Sequence, residues 1–362
     1  MDFYTYIRNI YGGDTLSTAK ATEPESSNST KTAVSATPVQ PDTPIALNRV
    51  ALFYAHDLLP AYASQSRSTL AFSANSALLL AGGWDNTLEI WSIAEARRYP
   101  SLLVPTHATA LTTMATQGNV LIYAAMDGGV NRLRLDAFGR IEPPQGNETW
   151  ELLRHKGAVT AVQLTADGRW LVTGSQDGAV YQYDLQTNQS RTLRNDPTDP
   201  IAAVALNPTR PLVAYVGAKR SIALWHRMTE MVSSLPTEHT GSINTLQFSP
   251  DGLRIMTASS DGTVCIWQLA NATRSHCFSD FTVGVNSALY TPDGALIVAA
   301  GNDGFIRVWD ATSYRLLGAF NAHSGGVATL AMRADGRQLA SAGWDGSIAL
   351  WDLDLPSNLL KR

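Results

Sequence analysis

The chain has 362 residues, of which 44% are hydrophobic and 16% are charged, and its formal net charge is -4. This length fits two ordinary domains or one large repetitive architecture, and the apolar fraction excludes a largely disordered protein. The charge argues against nucleic-acid binding, no apolar run is long enough to span a bilayer, and two cysteines without a CxxC motif exclude a disulfide scaffold or zinc finger. We therefore expect a cytoplasmic protein without an integral membrane segment.

Residues 1–12 form a short aromatic segment that the sequence predicts to be helical. Four apolar side chains follow the i, i+4, i+7, i+8 spacing of one helix face: Phe3, Ile7, Ile10 and Tyr11. A helix this short is marginal alone, so we expect it to form only against another surface. A partner protein is the favoured surface, and the alternatives are the rest of this chain or no ordered role.

Residues 13–45 are predicted to be a flexible linker. Of the 32 residues in 13–44, 12 are Ser or Thr and four are Pro, and such a composition cannot bury enough apolar surface to fold. The root-mean-square span of this linker is about 30 Å, which allows the first segment to fold back or to reach another subunit.

From residue 46 to 355 the chain repeats one motif at a nearly constant interval. The motif is an anchor Asp, usually followed by Gly, with an aromatic residue six positions after the Asp. The anchors lie at positions 85, 127, 177, 219, 261, 303 and 345, so the intervals are 42, 50, 42, 42, 42 and 42. Self-similarity at this period is typical of a repeat architecture.

Each repeat has room for four short strands. Apolar or alternating runs such as 159–164 and 170–174 are separated by Asp-Gly pairs, which recur ten residues before several anchors and suit two-residue hairpin turns. A four-stranded unit with a period of 40–45 residues is typical of a propeller blade. The sequence therefore predicts an all-β protein, a seven-bladed β-propeller of four-stranded blades. The polar segment 137–149, which explains the longer interval, is predicted to be a solvated loop.

These repeats resemble the WD-repeat (WD40-type) β-propeller family. The eponymous dipeptide occurs in two repeats, at Trp309-Asp310 and Trp351-Asp352. Three repeats also have a histidine 22 residues before the anchor Asp, where that family has one: His155, His239 and His323. The resemblance covers residues 46–353 and implies a non-enzymatic protein–protein interaction scaffold or an accessory subunit of a multiprotein assembly.

The resemblance also implies a hydrogen-bonded set of four side chains in each well-matched blade. The expected sets are Tyr183, Thr173, His155 and Asp177 in blade 3; Trp267, Thr257, His239 and Asp261 in blade 5; and Trp351, Ser341, His323 and Asp345 in blade 7. Because the sets recur with the repeat, we interpret them as structural and not as catalytic triads. Blades 2, 4 and 6 lack full sets, since Leu133, Lys219 and Phe281 interrupt them, and are expected to rely more on apolar packing.

Residues near 47–54 are predicted to close the ring. The stretch 50–56 resembles 317–323, the outer strand that leads into blade 7, and both have an aromatic residue three positions before a histidine. Since the chain ends soon after Trp351, we expect this N-terminal strand to complete the last blade and to hide an open sheet edge. Residues 356–362 are left as a C-terminal tail.

An enzyme or small-ligand-binding propeller that uses the central channel is the alternative function. The innermost strands are expected to begin near residues 67, 111, 159, 201, 243, 285 and 327, and the next five residues of each include no Asp, Glu, His, Cys or Lys. General acid–base catalysis and metal binding need such groups. We therefore expect no enzymatic activity, no cofactor and no metal, and nucleic-acid binding ranks third. Cys265 is expected to be a small buried residue and Cys277 to be partly exposed.

In that family, the residue before each anchor Asp points toward the face that most often binds partners. Trp84, Met126 and Trp344 occupy this position in blades 1, 2 and 7, which become neighbours when the ring closes. These residue types are enriched at protein interfaces. The loop 56–67 adds three apolar residues, Leu58, Leu59 and Tyr62. This loop either covers the tryptophans or joins them in one docking patch, and the sequence leaves the partner and the oligomeric state open.

Overall fold

The computed structural model describes residues 45–54, 67–83, 87–99, 102–103, 110–136, 138–142, 146 and 149–354. In this part of the chain all regular secondary structure is β-strand, and the strands form seven antiparallel sheets. None of the described segments is a helix that could cross a membrane. The predicted all-β fold and its seven blades are confirmed.

Each blade runs from an inner strand at the central channel to an outer strand at the rim. The first strand of the chain, β1 (Ala46–Tyr54), belongs to the last blade. Blade 1 contains β2 (Arg67–Phe72), β3 (Leu78–Gly83), β4 (Thr87–Ser92) and the short outer pieces β5 (Arg97–Arg98) and β6 (Leu102–Leu103). Blade 2 contains β7 (Leu111–Gln117), β8 (Val120–Ala125), β9 (Gly129–Leu135) and the outer pieces β10 (Ile141–Glu142) and β11 (Glu151–Arg154).

The next three blades have four strands each. Blade 3 contains β12 (Val159–Leu164), β13 (Trp170–Ser175), β14 (Ala179–Asp184) and β15 (Gln189–Asn195). Blade 4 contains β16 (Ile201–Leu206), β17 (Leu212–Gly217), β18 (Ile222–His226) and β19 (Val232–Leu235). Blade 5 contains β20 (Ile243–Phe248), β21 (Arg254–Ser259), β22 (Val264–Gln268) and β23 (Thr273–Phe278).

The last two blades complete the ring. Blade 6 contains β24 (Val285–Tyr290), β25 (Leu296–Gly301), β26 (Phe305–Asp310) and β27 (Leu316–Asn321). Blade 7 contains β28 (Val327–Met332), β29 (Gln338–Gly343), β30 (Ser347–Asp354) and, as its outer strand, β1. In every blade the second strand is almost wholly buried, because neighbouring blades cover both of its faces.

The Asp-Gly turns differ from the two-residue hairpins that the sequence suggested. In blade 5 the connection between β20 and β21 spans five residues, and only Gly252 has a positive φ, of 69°. Asp251 instead stabilises the turn with its side chain, since its Oδ1 accepts a hydrogen bond of 2.9 Å from the backbone N–H of Leu253. The dipeptide therefore marks the turn correctly but does not determine its length.

Polar side chains tie neighbouring blades together near the channel. Each inner strand has a β-bulge at its second residue, which breaks the regular pairing there. In three blades this residue donates to a backbone carbonyl of the next inner strand at 2.8 Å: Thr160 to Ile201, Asn244 to Val285, and Asn286 to Val327. The repeat thus encodes the contacts between blades as well as the blades themselves.

The ring closes through the N-terminal strand, as predicted. β1 pairs antiparallel with β30 from Ala46 opposite Asp354 to Tyr54 opposite Ser347. Ile45 and β1 residue Leu47 are buried in the core shared by blades 6 and 7. The inner strand of blade 1, β2, also packs against β28 and β29, so that the first and last blades are neighbours.

The two cysteines form a disulfide, which the sequence interpretation did not foresee. Cys265 in β22 lies directly opposite Cys277 in β23, with a Cα–Cα distance of 4.1 Å. Cys265 is buried and Cys277 is half-buried, but neither is an isolated thiol. The separation of 12 residues gave no sign of this pairing, because it depends on the register of the outer strand.

Candidate functional site

The turns that contain the anchor residues lie on one face of the ring, which we call the anchor face. Strands within a blade alternate in direction, so the turns between second and third strands share this face with the loops that enter each inner strand. The turns between first and second strands and between third and fourth strands lie on the opposite face. Four residues therefore lie at the anchor face: His155, His239, His323 and Trp344.

In blade 5 the four side chains named from the sequence lie together. Thr257 accepts a hydrogen bond of 3.0 Å from the indole N–H of Trp267, and its Oγ1 lies 2.7 Å from His239 Nε2. The other ring nitrogen, His239 Nδ1, lies 2.9 Å from Asp261 Oδ2. Burial opposes ionisation of Asp261, but hydrogen bonds from His239 and Thr263 outweigh it and lower the pKa of this carboxyl. This network joins the loop before β20 to β21, to β22 and to the turn between them.

Blade 7 repeats this arrangement with a serine. Ser341 Oγ lies 2.8 Å from His323 Nε2 and accepts a hydrogen bond of 2.9 Å from the Trp351 indole. His323 Nδ1 lies 3.1 Å from Asp345 Oδ1 and 2.9 Å from Ser347 Oγ. Ser341 is fully buried, and every polar side-chain atom of this group has a partner inside the blade.

Blade 3 brings together three of its four expected residues. His155 Nε2 lies 2.8 Å from Thr173 Oγ1, and His155 Nδ1 lies 3.5 Å from Asp177 Oδ1. Tyr183 does not take the role expected for it, since its hydroxyl donates to Asn188 at 3.3 Å. The reason is geometric: an indole has its N–H on the side of the ring, whereas the phenol hydroxyl lies at the far tip.

Blade 6, which has Phe281 in place of the histidine, contains a different polar network. Arg307 forms an ion pair of 2.7 Å with the anchor Asp303, and its guanidinium carbon lies 4.2 Å from the centre of the Phe281 ring. The indole of Trp309 donates to Asp280 at 3.1 Å. The expectation that this blade relies on apolar packing was therefore incomplete. The ion pair between Arg307 and Asp303 and the carboxylate of Asp280 take the place of the missing histidine.

Blade 4 has Lys219 in place of the anchor acid, and a carboxylate from the loop between β15 and β16 lies next to it. Asp199 accepts a hydrogen bond of 2.9 Å from the backbone N–H of Lys219 and pairs with Arg194 at 2.7 Å. Arg194 comes from β15 of blade 3, so the pair also joins two blades. In blade 2 the anchor Asp127 pairs with Arg154 at 3.1 Å. The sequence shows Asp199, Arg194 and Arg154 as charged residues, but no motif indicates that they pair in this way.

Two histidines of these networks, His155 and His323, are poorly suited to acid–base catalysis. Burial lowers the pKa of His155 and of His323, and this effect exceeds the opposing influence of Asp177 and Asp345. Both imidazole side chains are 0% exposed. An enclosed imidazole that stays neutral has no route to a substrate.

This burial predicts that stability falls in mild acid. In the unfolded chain a histidine binds a proton near its ordinary pKa of 6.5, whereas folded His323 stays neutral to lower pH. The unfolded state then holds more protons, so the free energy of unfolding decreases as the pH drops below 6.5. Urea unfolding between pH 7.5 and 5 is expected to show this loss, and His323→Asn is expected to show less of it. An identical pH dependence in both proteins would contradict the assignment.

Among the described residues of the anchor face, Trp344 is an exposed aromatic residue. Its side chain is 44% exposed, and its backbone N–H donates to the carbonyl of Gly326 at 2.8 Å. The indole lies against this glycine, because a Cβ added to Gly326 would come within 3.1 Å of indole Cε3. Ser324, in the same loop, donates from its backbone to Asp345 at 3.0 Å. The network that stabilises blade 7 therefore also holds the backbone beneath Trp344.

The equivalent positions in other described blades are less apolar or less exposed. Met126, Gln176, Ser260 and Asn302 are half-buried, and Ala218 is exposed but small. Val283, in the loop before β24, is 39% exposed on the same face. Val283 and Trp344 are therefore two exposed apolar residues on this face, in the loop that enters blade 6 and in blade 7. The sequence pattern missed Val283 because it lies outside the repeated position.

Other residues predicted to bind a partner lie outside the described residues. They are Trp84, Leu58, Leu59, Tyr62, Phe3, Ile7, Ile10 and Tyr11. Within the described ranges, no group of three or more His, Cys, Asp or Glu side chains is placed to hold a metal ion.

Comparison with known proteins places these features in a family. The family model described as "WD domain, G-beta repeat" matches residues 58–92, 146–184, 230–268, 273–310 and 314–352. Among curated proteins, the chain is 21% identical over 203 residues to "Periodic tryptophan protein 2 homolog" of Dictyostelium discoideum, which covers 55% of this chain and 21% of that protein.

Two further relatives show the same level of similarity. "Striatin-3" of Rattus norvegicus is 25% identical over 207 residues, covering 53% of this chain and 26% of that protein. "Protein LST8 homolog" of Drosophila melanogaster is 24% identical over 193 residues, covering 51% and 58%. Each match therefore spans less than two thirds of the relative. Since the family matches cover more than half of its residues and the structure has seven four-stranded blades, the chain belongs to the WD40 family.

Proposed function

We propose that this protein is a non-enzymatic protein–protein interaction scaffold or an accessory subunit of a multiprotein assembly. It docks a partner on the anchor face around Trp344 and Trp84. The observation that carries this proposal is the exposure of the large Trp344 side chain on a backbone held by the blade 7 network. Family membership and the similarity to the relatives named above support a binding role in general.

The energetic basis is the burial of a preorganised aromatic side chain. Covering about 100 Å² of the exposed indole would contribute about 2 kcal/mol. Hydrogen bonds from Trp344 to Gly326 and from Ser324 to Asp345 already fix the backbone at Trp344. Little backbone entropy is therefore lost when the partner binds. Val283 and the loop 56–67 would extend the contact, and Met126 would border it.

The channel alternative has no support from a described group. Apart from Arg67 at the start of β2, the residues of the described inner strands have hydroxyl, amide or apolar side chains, and the side chains of His155 and His323 are enclosed. We therefore propose protein partners, and neither an enzyme nor a nucleic-acid binder. The cytoplasmic location stays a prediction.

The N-terminal segment would anchor the scaffold from the other side of the ring. β30 starts at the anchor face, and β1 runs antiparallel to it, so Ile45 lies at the opposite face. The described chain therefore begins at the face opposite Trp344. A partner held by residues 1–12 and a partner docked at the anchor face need not compete for space.

Removal of residues 1–44 tests this anchoring role. The shortened chain is expected to fold, because it keeps β1, but to enter the native assembly less efficiently. The measurement is quantitative co-purification from the native cell, together with size-exclusion chromatography, for the full and shortened chains. Equal recovery of co-purifying proteins would contradict the proposed anchor while leaving the anchor-face proposal to its own test.

A further inference from the structure

The most exposed apolar side chains of the described residues lie on the face away from Trp344. Met228 is 77% exposed and Met231 is 71% exposed, both in the turn between β18 and β19 of blade 4. Val232, at the start of β19, is 56% exposed. Large flexible apolar side chains that face solvent this fully are typical of adaptable contact surfaces.

Beside this turn, one indole is flanked by two guanidinium groups. The guanidinium carbons of Arg169 and Arg227 lie 4.8 and 5.0 Å from the centre of the Trp170 ring. This contact joins blade 3, which contains Trp170, to the blade 4 turn. An ion pair of 2.7 Å between Arg191 and Glu230 joins the same two blades. The two Met side chains are therefore presented from a turn that is fastened at two points.

Two arginines of this cluster form ion pairs with described residues, and the third does not. Arg169 pairs with Asp184 at 3.0 Å, and Arg191 pairs with Glu230. Arg227 has no ion-pair partner within the described part of the chain. Burial lowers the pKa of Arg227, and the neighbouring charge of Arg169 adds to this effect against the opposing charge of Asp167. A carboxylate from outside the chain would complete the pairing.

We propose that Arg169, Trp170, Arg191, Arg227, Met228 and Met231, here called the Trp170 patch, form a second protein-binding surface. Its occupant is an extended segment of a partner protein in which an acidic side chain lies next to a large apolar one. The carboxylate pairs with Arg227, and the apolar side chain packs on the methionines. The proposal is independent of the anchor face, because the two surfaces lie on opposite sides of the ring.

The observations favour an acidic protein segment over a nucleic acid. A phosphate backbone is bound by several cations that have no ion pair, whereas among the described residues of this patch Arg227 alone has none and the charge of Asp167 acts on it, and the chain has a net charge of -4. The exposed methionines would also find no partner on a phosphate backbone. The N-terminal segment of this chain fits poorly, since residues 1–12 contain one acidic and one basic side chain.

Fluorescence anisotropy with short labelled probes tests the proposal on the full chain. The probes are a peptide in which Asp-Leu-Glu-Phe is repeated three times, its Lys-Leu-Arg-Phe counterpart, and a labelled oligouridylate. We expect binding of the acidic peptide in preference to the other two. Arg227→Glu should weaken it about tenfold or more, and the exposed pair Met228→Ser and Met231→Ser should weaken it about threefold or more.

Two variants serve as matched controls. Arg315→Glu makes the same charge change at an exposed arginine in the equivalent turn of blade 6, and Trp344→Ala alters the anchor face. Neither should change the affinity of the acidic peptide. Equal weakening by Arg315→Glu, preference for the basic peptide or the oligouridylate, or stronger probe binding after removal of residues 1–44 would overturn the proposed occupant. Thermal melting of each variant distinguishes lost binding from lost folding.

Discussion

A chain that starts at residue 55 is expected to lose the cooperative folding of the whole ring. It lacks β1, so β30 is left as an unpaired edge, and the core shared by blades 6 and 7 loses Ile45 and Leu47. Burying two such side chains is worth about 1.5–3 kcal/mol each, to which the lost strand pairing adds. This loss is a large part of the roughly 5–15 kcal/mol that stabilises a typical protein.

Urea unfolding followed by circular dichroism measures this effect. The matched control is the chain that starts at residue 45, which lacks 44 of the same 54 residues but keeps every described strand. We expect it to unfold at nearly the same urea concentration as the full chain, whereas the chain from residue 55 should be insoluble or unfold far earlier. Equal stability of the two shortened chains would show that β1 does not close the ring.

Replacing both tryptophans, Trp84→Ala with Trp344→Ala, is expected to weaken capture of the native partner by roughly 2 kcal/mol or more, or about thirtyfold. The melting temperature should barely change, because Trp344 is substantially exposed and supports no core cluster. The measurement is quantitative affinity capture from the native cell with each protein as bait. Gln176→Ala is the matched control, since it occupies the same repeat position in blade 3.

The outcome separates a docking role from a structural one. Partner recovery that is unchanged in the double variant would contradict docking at this face. A large drop in melting temperature would instead mean that the tryptophans pack inside the protein, as expected if the loop 56–67 covers them. A loss of binding that Gln176→Ala reproduces would point to a general effect on the face.

The fold was predictable because the repeat makes local and global signals agree. Seven anchors at a nearly constant interval gave the blade number, and the likeness between residues 50–56 and 317–323 gave the closing strand. Both inferences depend only on positions along the chain. The residues at the anchor positions were also identifiable, since the repeat shows which of them break the pattern.

What the sequence did not reveal depends on register and on contacts between blades. The Cys265–Cys277 disulfide requires the alignment of β22 with β23. Ion pairs such as Arg307 with Asp303 replace a missing histidine by a different chemistry, which no motif describes. The Trp170 patch joins two blades through side chains outside the repeated positions, so its residues had no common signal.

A photo-crosslinking amino acid at position 344, compared with the same residue at position 176, tests the central claim most directly. Both positions precede an anchor Asp on the same face, but they lie in blades 7 and 3. We predict that a single native protein is crosslinked in the cell from position 344 and not from position 176. Efficient crosslinking from position 176 with none from position 344 would contradict the assignment of the docking surface.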